Sequence, residues 1–281
     1  PERNLAMHIP DYWRWFSDAR FGIFIHWGPY SAIGRGEQVL FRKRLDQQAY
    51  ADAACNWNPK HYDPKVWADV ARRAGMKYAV LTTRHYDGFC LWNSKVTDYS
   101  APAQACGRDL VGEYAEAFRE AGLRVGLYYS LCDWRIPGYW EGPEHDPDGW
   151  AAFRDYVHAQ VTELLSNYGQ IDVLWFDGAW PRSAKEWHSA ELVEKIRALQ
   201  PHILINNRLG TLEPDEMTGE HADGVVHGVT FLREMNLGKE VELGRKVAII
   251  GGGNVAIDAA RSVVRLGAEK AFILYRRSRV E

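Results

Sequence analysis

The segment VLWFDGAW, residues 173–180, ends an apolar and aromatic run on one carboxylate, Asp177. Removing a carboxylate from water is costly unless it is paired or takes part in chemistry, so Asp177 is a candidate catalytic group. The alternative is a purely structural turn, because an Asp-Gly pair such as Asp177–Gly178 is typical of tight turns.

Four other short apolar runs, rich in β-branched and aromatic residues, indicate buried strands. They are FGIFIHWG (21–28), KYAVLTTRH (77–85), RVGLYYSL (124–131) and ILINNR (203–208). Polar groups collect where these runs end: His26, His85, Asp87, Tyr128, Ser130, Asn206, Asn207 and Arg208. Turn chemistry accounts for the Asp-Gly pairs but not for the His, Tyr and Arg side chains.

Helical patterns separate the five predicted strands, over residues 63–75, 109–122, 147–168 and 183–200. Asp63 and Pro64 indicate the start of the first helix, and Gly75 its end. Strands that alternate with helices predict an α/β fold of parallel βα units, in which polar strand ends form an active site. We expect a (β/α) TIM-type barrel truncated after about five strands, followed by a single Rossmann-like βαβ fragment.

Composition excludes several classes of function. The net charge is -3 and no Lys/Arg-rich run is interleaved with aromatics, so nucleic acid is a poor partner. No apolar run is long enough to span a membrane, and the four cysteines form no C-x-x-C pair, which predicts neither a disulfide framework nor a metal site. Twelve Trp, fourteen Tyr and ten Phe suit either a large core or sugar binding. The chain opens at Pro1 without a recognisable leader. Because a leader can be removed from a mature protein, the sequence leaves the cellular compartment open. It leaves the oligomeric state open as well.

Five motifs together resemble family 29 glycoside hydrolases, the α-L-fucosidases, over about residues 12–210. They are FGIFIHWGPYS, TTRHYDGFCLW, GLYYSLCDW, VLWFDGAW and ILINNRLG. The resemblance implies a retaining exo-glycosidase that acts without a cofactor on a fucosylated glycan or small fucoside. It also implies that Asp177, in the W-x-D motif, is the nucleophile.

The same resemblance implies the residues that hold the sugar. They would be His26, Glu37, His85, Tyr86, one of Tyr128 or Tyr129, and Arg208 beside the leaving group; Tyr86 stands where the family often has a second His. Another departure is Gln38, where the family often has Trp. For His26 and His85, core or capping roles are the alternative.

A retaining glycosidase needs a second carboxylic acid about 5 to 5.5 Å from the nucleophile. The candidates are Glu213, Glu216 and Glu220, and the resemblance favours Glu220 as the catalytic acid/base. The alternative is a solvated acidic linker, because this stretch is rich in charge.

The C-terminal part begins after a junction at 211–222, so we expect domains at 1–210 and 223–281. Residues from about 221 resemble the NADP-binding part of flavin-linked oxidoreductases such as the glutamate synthase small chain. Gly251, Gly253 and Ala256 give G-x-G-x-x-A between a strand and a helix, and Asn254 opens that helix. Arg276 and Arg277 would favour NADP(H) over NAD.

Two alternatives to an active fucosidase therefore stay open. The chain could be an NADP(H)-binding oxidoreductase fragment with an N-terminal appendage, or an inert hybrid of two truncated genes joined near 210–222. We expect the strands at 246–250 and 271–275 to form a small separate lobe rather than extend the barrel sheet.

Overall fold

A computed structural model describes residues 13–210, 225–226, 228–239, 241, 243–250 and 254–274. The chain divides into two compact units, Pro1–Leu212 and Glu213–Glu281. No helix among the described residues combines the length and apolar character that a membrane crossing requires.

The N-terminal unit is built on one five-stranded parallel sheet whose strands follow chain order. The strands are β1 (Ile23–Ile25), β2 (Tyr78–Arg84), β3 (Arg124–Ser130), β4 (Val173–Asp177) and β5 (Leu204–Ile205). β2, β3 and β4 are almost wholly buried, which explains why their sequences are apolar on both faces. The predicted parallel α/β architecture is thus observed in the described residues.

Ten helices of the described chain lie before and between these strands. They are α1 (Arg14–Ala19), α2 (Tyr30–Ile33), α3 (Val39–Arg42), α4 (Gln47–Cys55), α5 (Pro64–Arg73), α6 (Leu110–Glu120), α7 (Pro137–His145), α8 (Pro147–Asn167), α9 (Ala184–Trp187) and α10 (Ser189–Leu199). Asp63 caps α5 as predicted, because its side chain accepts a hydrogen bond from the N–H of Lys65. Asp46, Asp109 and Asp146 cap α4, α6 and α8 in the same way.

The segment 183–200 differs from the single helix predicted for it. His188 has φ 51°, in the left-handed region, and this residue separates α9 from α10. A capping box in which Ser183 and Glu186 bond each other's backbone N–H starts α9. Helical periodicity continues across the break, which is why the sequence pattern does not reveal it.

Strand β5 is shorter than predicted. Beyond its last residue, the side chain of Asn206 bonds to β4 in place of the main chain. Asn206 Oδ1 accepts a hydrogen bond from the N–H of Phe176 at 2.8 Å. Asn206 Nδ2 donates to the carbonyl of Phe176 at 2.9 Å. The amide of Asn206 therefore supplies the last hydrogen bonds on the β5 side of β4, and the main chain is free to turn away toward Arg208.

Much of the aromatic content fills the core of this unit. Trp92, Trp187, Tyr114, Tyr129, Phe89, Phe118 and Phe176 are all less than 2% exposed. Trp187 satisfies its indole N–H by donating to the carbonyl of Ala179 at 2.9 Å. The large-core interpretation of the composition therefore accounts for many of the rings, although not for the exposed ones.

The C-terminal unit contains α11 (Gly228–Asn236), β6 (Lys246–Ile250), α12 (Asn254–Arg265) and β7 (Lys270–Leu274). β6 and β7 pair in parallel as a second, two-stranded sheet, from Lys246 opposite Lys270 to Ile250 opposite Leu274. A small core gathers beneath them, formed by Phe231, Ile249, Ala256, Ala259 and Val263. The predicted nucleotide-binding residues Gly251, Gly253, Arg276 and Arg277 lie outside the described residues.

Removing the Asn206 amide should destabilise the N-terminal unit. Asn206→Ala leaves the buried N–H and carbonyl of Phe176 without partners, so we expect the free energy of unfolding to fall by about 2–4 kcal/mol. All twelve Trp residues belong to this unit, so tryptophan fluorescence in a urea titration reports its unfolding alone. Asn207→Ala is the matched control, with an expected change of at most about 0.5 kcal/mol. Equal losses in the two variants would contradict the role assigned to Asn206.

Candidate active site

Asp177 is the last residue of β4, and its side chain is 12% exposed. Gly178, which follows, has φ 77°, and a Cβ atom there would lie 2.5 Å from Cys132 Sγ. Only glycine fits this close, left-handed turn without strain. The strand therefore ends sharply, with the Asp177 carboxylate at the carboxyl edge of the sheet.

Three side chains donate hydrogen bonds to the Asp177 carboxylate. Tyr86 OH lies 2.7 Å and Tyr128 OH 3.1 Å from Oδ2, while Arg208 Nη1 lies 3.0 Å from Oδ1. Hydrogen bonds to both oxygens offset much of the cost of taking the carboxylate out of water and fix its rotation. Tyr86 follows β2, Tyr128 lies near the end of β3 and Arg208 follows β5, so the sheet register brings the three together.

His85 extends this network in one defined protonation state. Its Nδ1 accepts from the N–H of Tyr86 at 2.9 Å, so the neutral ring carries its proton on Nε2. Nε2 lies 3.1 Å from Tyr128 OH, to which it can donate while the phenol donates to Asp177. Burial, and next the neighbouring His26, lower the pKa of His85 to about 3 despite the opposing charge of Asp177. The His85 side chain is therefore neutral in the folded protein near neutral pH.

His26 follows β1 and faces the same site. Its ring centroid lies 5.4 Å from that of His85 and 5.5 Å from that of Tyr128. Partial burial lowers the pKa of His26, while the negative charges of Glu37 and Asp177 raise it. Glu37 is half-buried, and its negative charge acts on His26.

Of the two candidate tyrosines in β3, Tyr128 reaches the site and Tyr129 does not. Successive side chains in a strand point to opposite faces of the sheet. Tyr129 is fully buried on the other face, where it donates to Gln160 Oε1 at 2.8 Å and accepts from Arg84 Nη1 at 2.8 Å. Of the two alternatives, the geometry therefore favours Tyr128, and Tyr129 occupies the position of a core residue.

Two further residues have roles that the sequence did not indicate. Thr82 Oγ1 accepts from the N–H of Trp27 and donates to its carbonyl, both at 3.0 Å, which fixes the residue next to His26 onto β2. Asp87, a polar strand-end residue, is buried and accepts from Tyr50 OH at 2.6 Å. Burial raises the pKa of Asp87 to about 6. Thr82 thus holds the segment next to His26, and Tyr50 holds Asp87, the sequence neighbour of Tyr86.

Most of the other predicted positions are not described by the structure. Glu220, Gly251, Gly253, Arg276 and Arg277 lie outside the described residues, as do Glu213 and Glu216. Asn254 begins α12 and Ala256 is packed in the small core of the C-terminal unit. The described site therefore consists of one carboxylate nucleophile candidate, three donors to it, and two histidines with a glutamate beside them.

The neutral state of His85 should be directly visible by NMR. Because its pKa is lowered to about 3, the Nε2–H tautomer should persist from about pH 7 down to about pH 5. The unfolded chain binds this proton below about pH 6.5 whereas the folded chain does not, so His85 makes stability fall as pH drops from about 6.5 toward 3. Nitrogen-15 shifts of the ring, assigned by loss of the signal in His85→Gln, measure the state. A titration of His85 centred near pH 6.5 would contradict this electrostatic picture.

Comparison with known proteins identifies the family of the chain. The family model described as Alpha-L-fucosidase matches residues 7–225. Tissue alpha-L-fucosidase of Rattus norvegicus is 31% identical over 217 residues, which cover 70% of this chain and 47% of that protein. Alpha-L-fucosidase of Branchiostoma floridae is 32% identical over 219 residues, covering 70% and 49%. The chain spans about half the length of the curated relatives it matches.

Solved structures agree with the sequence relatives. Alpha-L-fucosidase isoenzyme 1 from Paenibacillus thiaminolyticus superposes with a TM-score of 0.68 and 38% identity, covering 94% of this chain and 69% of that one. An alpha-L-fucosidase GH29 from Bacteroides thetaiotaomicron gives a TM-score of 0.67 and 32% identity, with 72% and 48% coverage. The five-stranded parallel sheet is consistent with the TIM-like α/β catalytic domain that these structures imply. The chain belongs to the α-L-fucosidase family.

Proposed function

We propose that this chain hydrolyses terminal α-L-fucosides with retained configuration and that Asp177 is its nucleophile. The observation that carries the proposal is the Asp177 carboxylate, held through both oxygens by Tyr86, Tyr128 and Arg208 at the edge of the sheet. Hydrogen bonds that fix the carboxylate before the sugar arrives reduce the entropic cost of attack. Membership in the α-L-fucosidase family supports the sugar assigned to it.

The reaction proceeds in two displacements. A carboxylate oxygen of Asp177 attacks the anomeric carbon, the glycosidic bond breaks, and the leaving oxygen takes a proton from a carboxylic acid. Water then gives a proton back to that acid/base residue, attacks the anomeric carbon and releases Asp177 from the ester. His85 stays neutral throughout, so its hydrogen bond to Tyr128 adds no positive charge beside the attacking oxygen.

His26, Glu37 and His85 are the proposed ligands of the fucose hydroxyls. The rings of His26 and His85 lie 5.4 Å apart, Glu37 and Asp177 both act electrostatically on His26, and the ring nitrogens and the Glu37 carboxylate can donate to or accept from vicinal hydroxyls. Tyr86 acts differently from the sugar ligand that the sequence suggested. Its hydroxyl already donates to Asp177, so we assign it to holding the nucleophile, with only its ring available to the sugar.

Glu220 is the proposed acid/base residue, with Glu213 and Glu216 as alternatives. The support comes from the sequence, where these residues follow the Asn-Asn-Arg segment. Glu220→Gln should lower kcat/KM for a methyl α-L-fucoside by about 100-fold or more, yet spare kcat/KM for α-L-fucosyl fluoride, because kcat/KM reports the first displacement and fluoride leaves with little need of a proton. Equal losses on both substrates would exclude Glu220 as the general acid.

Replacing the nucleophile tests the proposal as a whole. The unmodified chain should cleave 4-nitrophenyl α-L-fucoside and release fucose first as the α-anomer, as followed by proton NMR. Asp177→Ala should lower kcat by about 10⁴-fold or more, because no covalent intermediate can form. Azide should restore activity in this variant and yield β-fucosyl azide, since a small anion can occupy the space of the missing carboxylate.

Asp177→Asn is the matched control for folding, because it keeps the shape of the side chain and should be equally inactive. An unmodified chain without turnover would contradict the proposed activity and favour the inert hybrid. Initial release of the β-anomer would contradict retention.

NADP(H) binding by the C-terminal unit is a separate proposal. Its support is that β6 and β7, which precede and follow α12 in the sequence, pair in parallel. The G-x-G-x-x-A segment in the sequence supports it further. This unit lacks Trp, so the emission of NADPH itself is the appropriate signal. Saturable enhancement that Gly253→Asp abolishes would support binding. Its absence would leave the βαβ unit with a packing role only.

A further inference from the structure

The N-terminal unit has a surface groove of about 580 Å³. Its lining comes from α3, the segment after it, α4, the region between β3 and α7, and α7 itself, and it includes Phe41, Arg42, Arg44, Gln47, Trp134 and Trp140. None of these residues takes part in the site around Asp177. The groove is large enough for a sugar ring or two.

Three aromatic rings form one wall of the groove and stay accessible to solvent. Phe41 is 61% exposed and Trp140 is 50% exposed. Their rings are nearly parallel, at 18°, with centroids 6.4 Å apart, and Phe41 lies 5.2 Å from Trp134. Clustered exposed aromatic surface is unusual in the absence of a binding role.

Hydrogen bonds hold this wall in place. The carbonyl of Trp134 accepts from the indole N–H of Trp140 at 2.9 Å and from Gln47 Nε2 at 3.1 Å. The N–H of Trp134 donates to the carbonyl of Tyr86 at 2.9 Å. The rings are thus positioned before any ligand arrives, which lowers the entropic cost of binding.

The groove lies one side chain away from the nucleophile. The ring of Trp134 lies 5.0 Å from the ring of Tyr86, and the hydroxyl of Tyr86 donates to Asp177 at 2.7 Å. A single side chain therefore separates the aromatic wall from the carboxylate. A sugar linked to a fucose at Asp177 would meet this wall next.

The charge of the groove is positive. Arg42 and Arg44 line it, and in the described part of the chain no Asp or Glu does. Neither guanidinium forms an ion pair there; Arg42 donates only to the neutral Gln38 Oε1 at 2.8 Å. The nearest carboxylate in sequence, Asp46, is engaged in capping α4 through the N–H of Ala49. Two unpaired guanidiniums suit an anionic ligand.

We propose that this groove binds the saccharide to which the fucose is attached and prefers a sugar that carries a sulfate or carboxylate. Aromatic rings would contact the C–H face of that sugar, while Arg42 and Arg44 pair with its charge. The inference rests on the proposed fucosidase function, and it adds the chemical class of the leaving group.

Three matched disaccharides test the preference: α-L-fucosyl-glucose, its 6-sulfate and α-L-fucosyl-glucuronic acid, each with the linkage position varied. We expect kcat/KM to be about 10-fold higher for a charged disaccharide than for the neutral one at low salt. The preference should shrink at about 0.5 M salt, where exposed charges are screened. Whichever of the sulfate and the carboxylate reacts faster identifies the anionic group. Equal kcat/KM for all three substrates would overturn the charge preference.

Variants separate the two parts of the proposal. Arg44→Ala should bring the ratio of charged to neutral kcat/KM close to one. Trp140→Ala should lower kcat/KM for every disaccharide by about 10-fold relative to α-L-fucosyl fluoride, which has no leaving sugar. A Trp140→Ala variant with unchanged disaccharide kinetics would overturn the groove as a binding site.

The control variants lie outside the groove. Arg20 is exposed and has φ 53°, close to the φ 48° of Arg44, so Arg20→Ala matches the backbone strain of Arg44→Ala. Phe21 is 49% exposed, and Phe21→Ala matches the loss of an exposed aromatic ring. Both controls should behave as the unmodified chain does.

If the proposed fucosidase function is wrong, the chain will turn over neither α-L-fucosyl fluoride nor 4-nitrophenyl α-L-fucoside, and this result is separate from the disaccharide comparison. Calorimetry with glucose, glucose 6-sulfate and glucuronic acid then tests the groove without catalysis. Binding of a charged sugar that Arg44→Ala weakens about 10-fold supports the groove. Absence of binding by all three sugars overturns it.

Discussion

Desolvation of the Asp177 carboxylate is the constraint on which the rest of the site depends. A carboxylate this buried must find hydrogen-bond donors within the protein, and it finds them in Tyr86, Tyr128 and Arg208. Each donor is positioned by a different part of the sheet, so a shift in register of one strand would withdraw a donor. The pairing of Ser130 with Asp177 at the ends of β3 and β4 sets the depth at which Tyr128 meets the carboxylate.

The order of strands and the polar residues at their ends could be predicted from the sequence, because apolar runs and the residues that end them are local features. The choice between Tyr128 and Tyr129 could not, since a strand buried on both faces is apolar throughout and reveals no inward side. The sequence places Asp87 among the polar strand-end groups but does not reveal that it is buried and bonded to Tyr50, which is distant in sequence. Short helices such as α2 and α3 are too brief to produce a recognisable period.

Composition likewise left open what the aromatic residues do, and the structure divides them by location. Trp92 and Trp187 fill the core, whereas Phe41, Trp134 and Trp140 form an accessible wall. Trp92 belongs to an apolar stretch whose neighbours predict burial, whereas Trp187 stands among polar residues. Phe41 and Trp140 lie on the short helices α3 and α7, and Trp134 lies in the segment after β3. Contacts distant in sequence decide whether these rings are covered.

Side chains rather than main chain complete the sheet at both of its edge strands. Asn206 bonds the backbone of Phe176 beyond β5, and Thr82 bonds the backbone of Trp27 beyond β1. Main-chain pairing is indifferent to residue type, but these contacts are encoded residue by residue. The two borders of the active-site rim can therefore be repositioned during evolution by single codon changes, while the three inner strands keep their alignment.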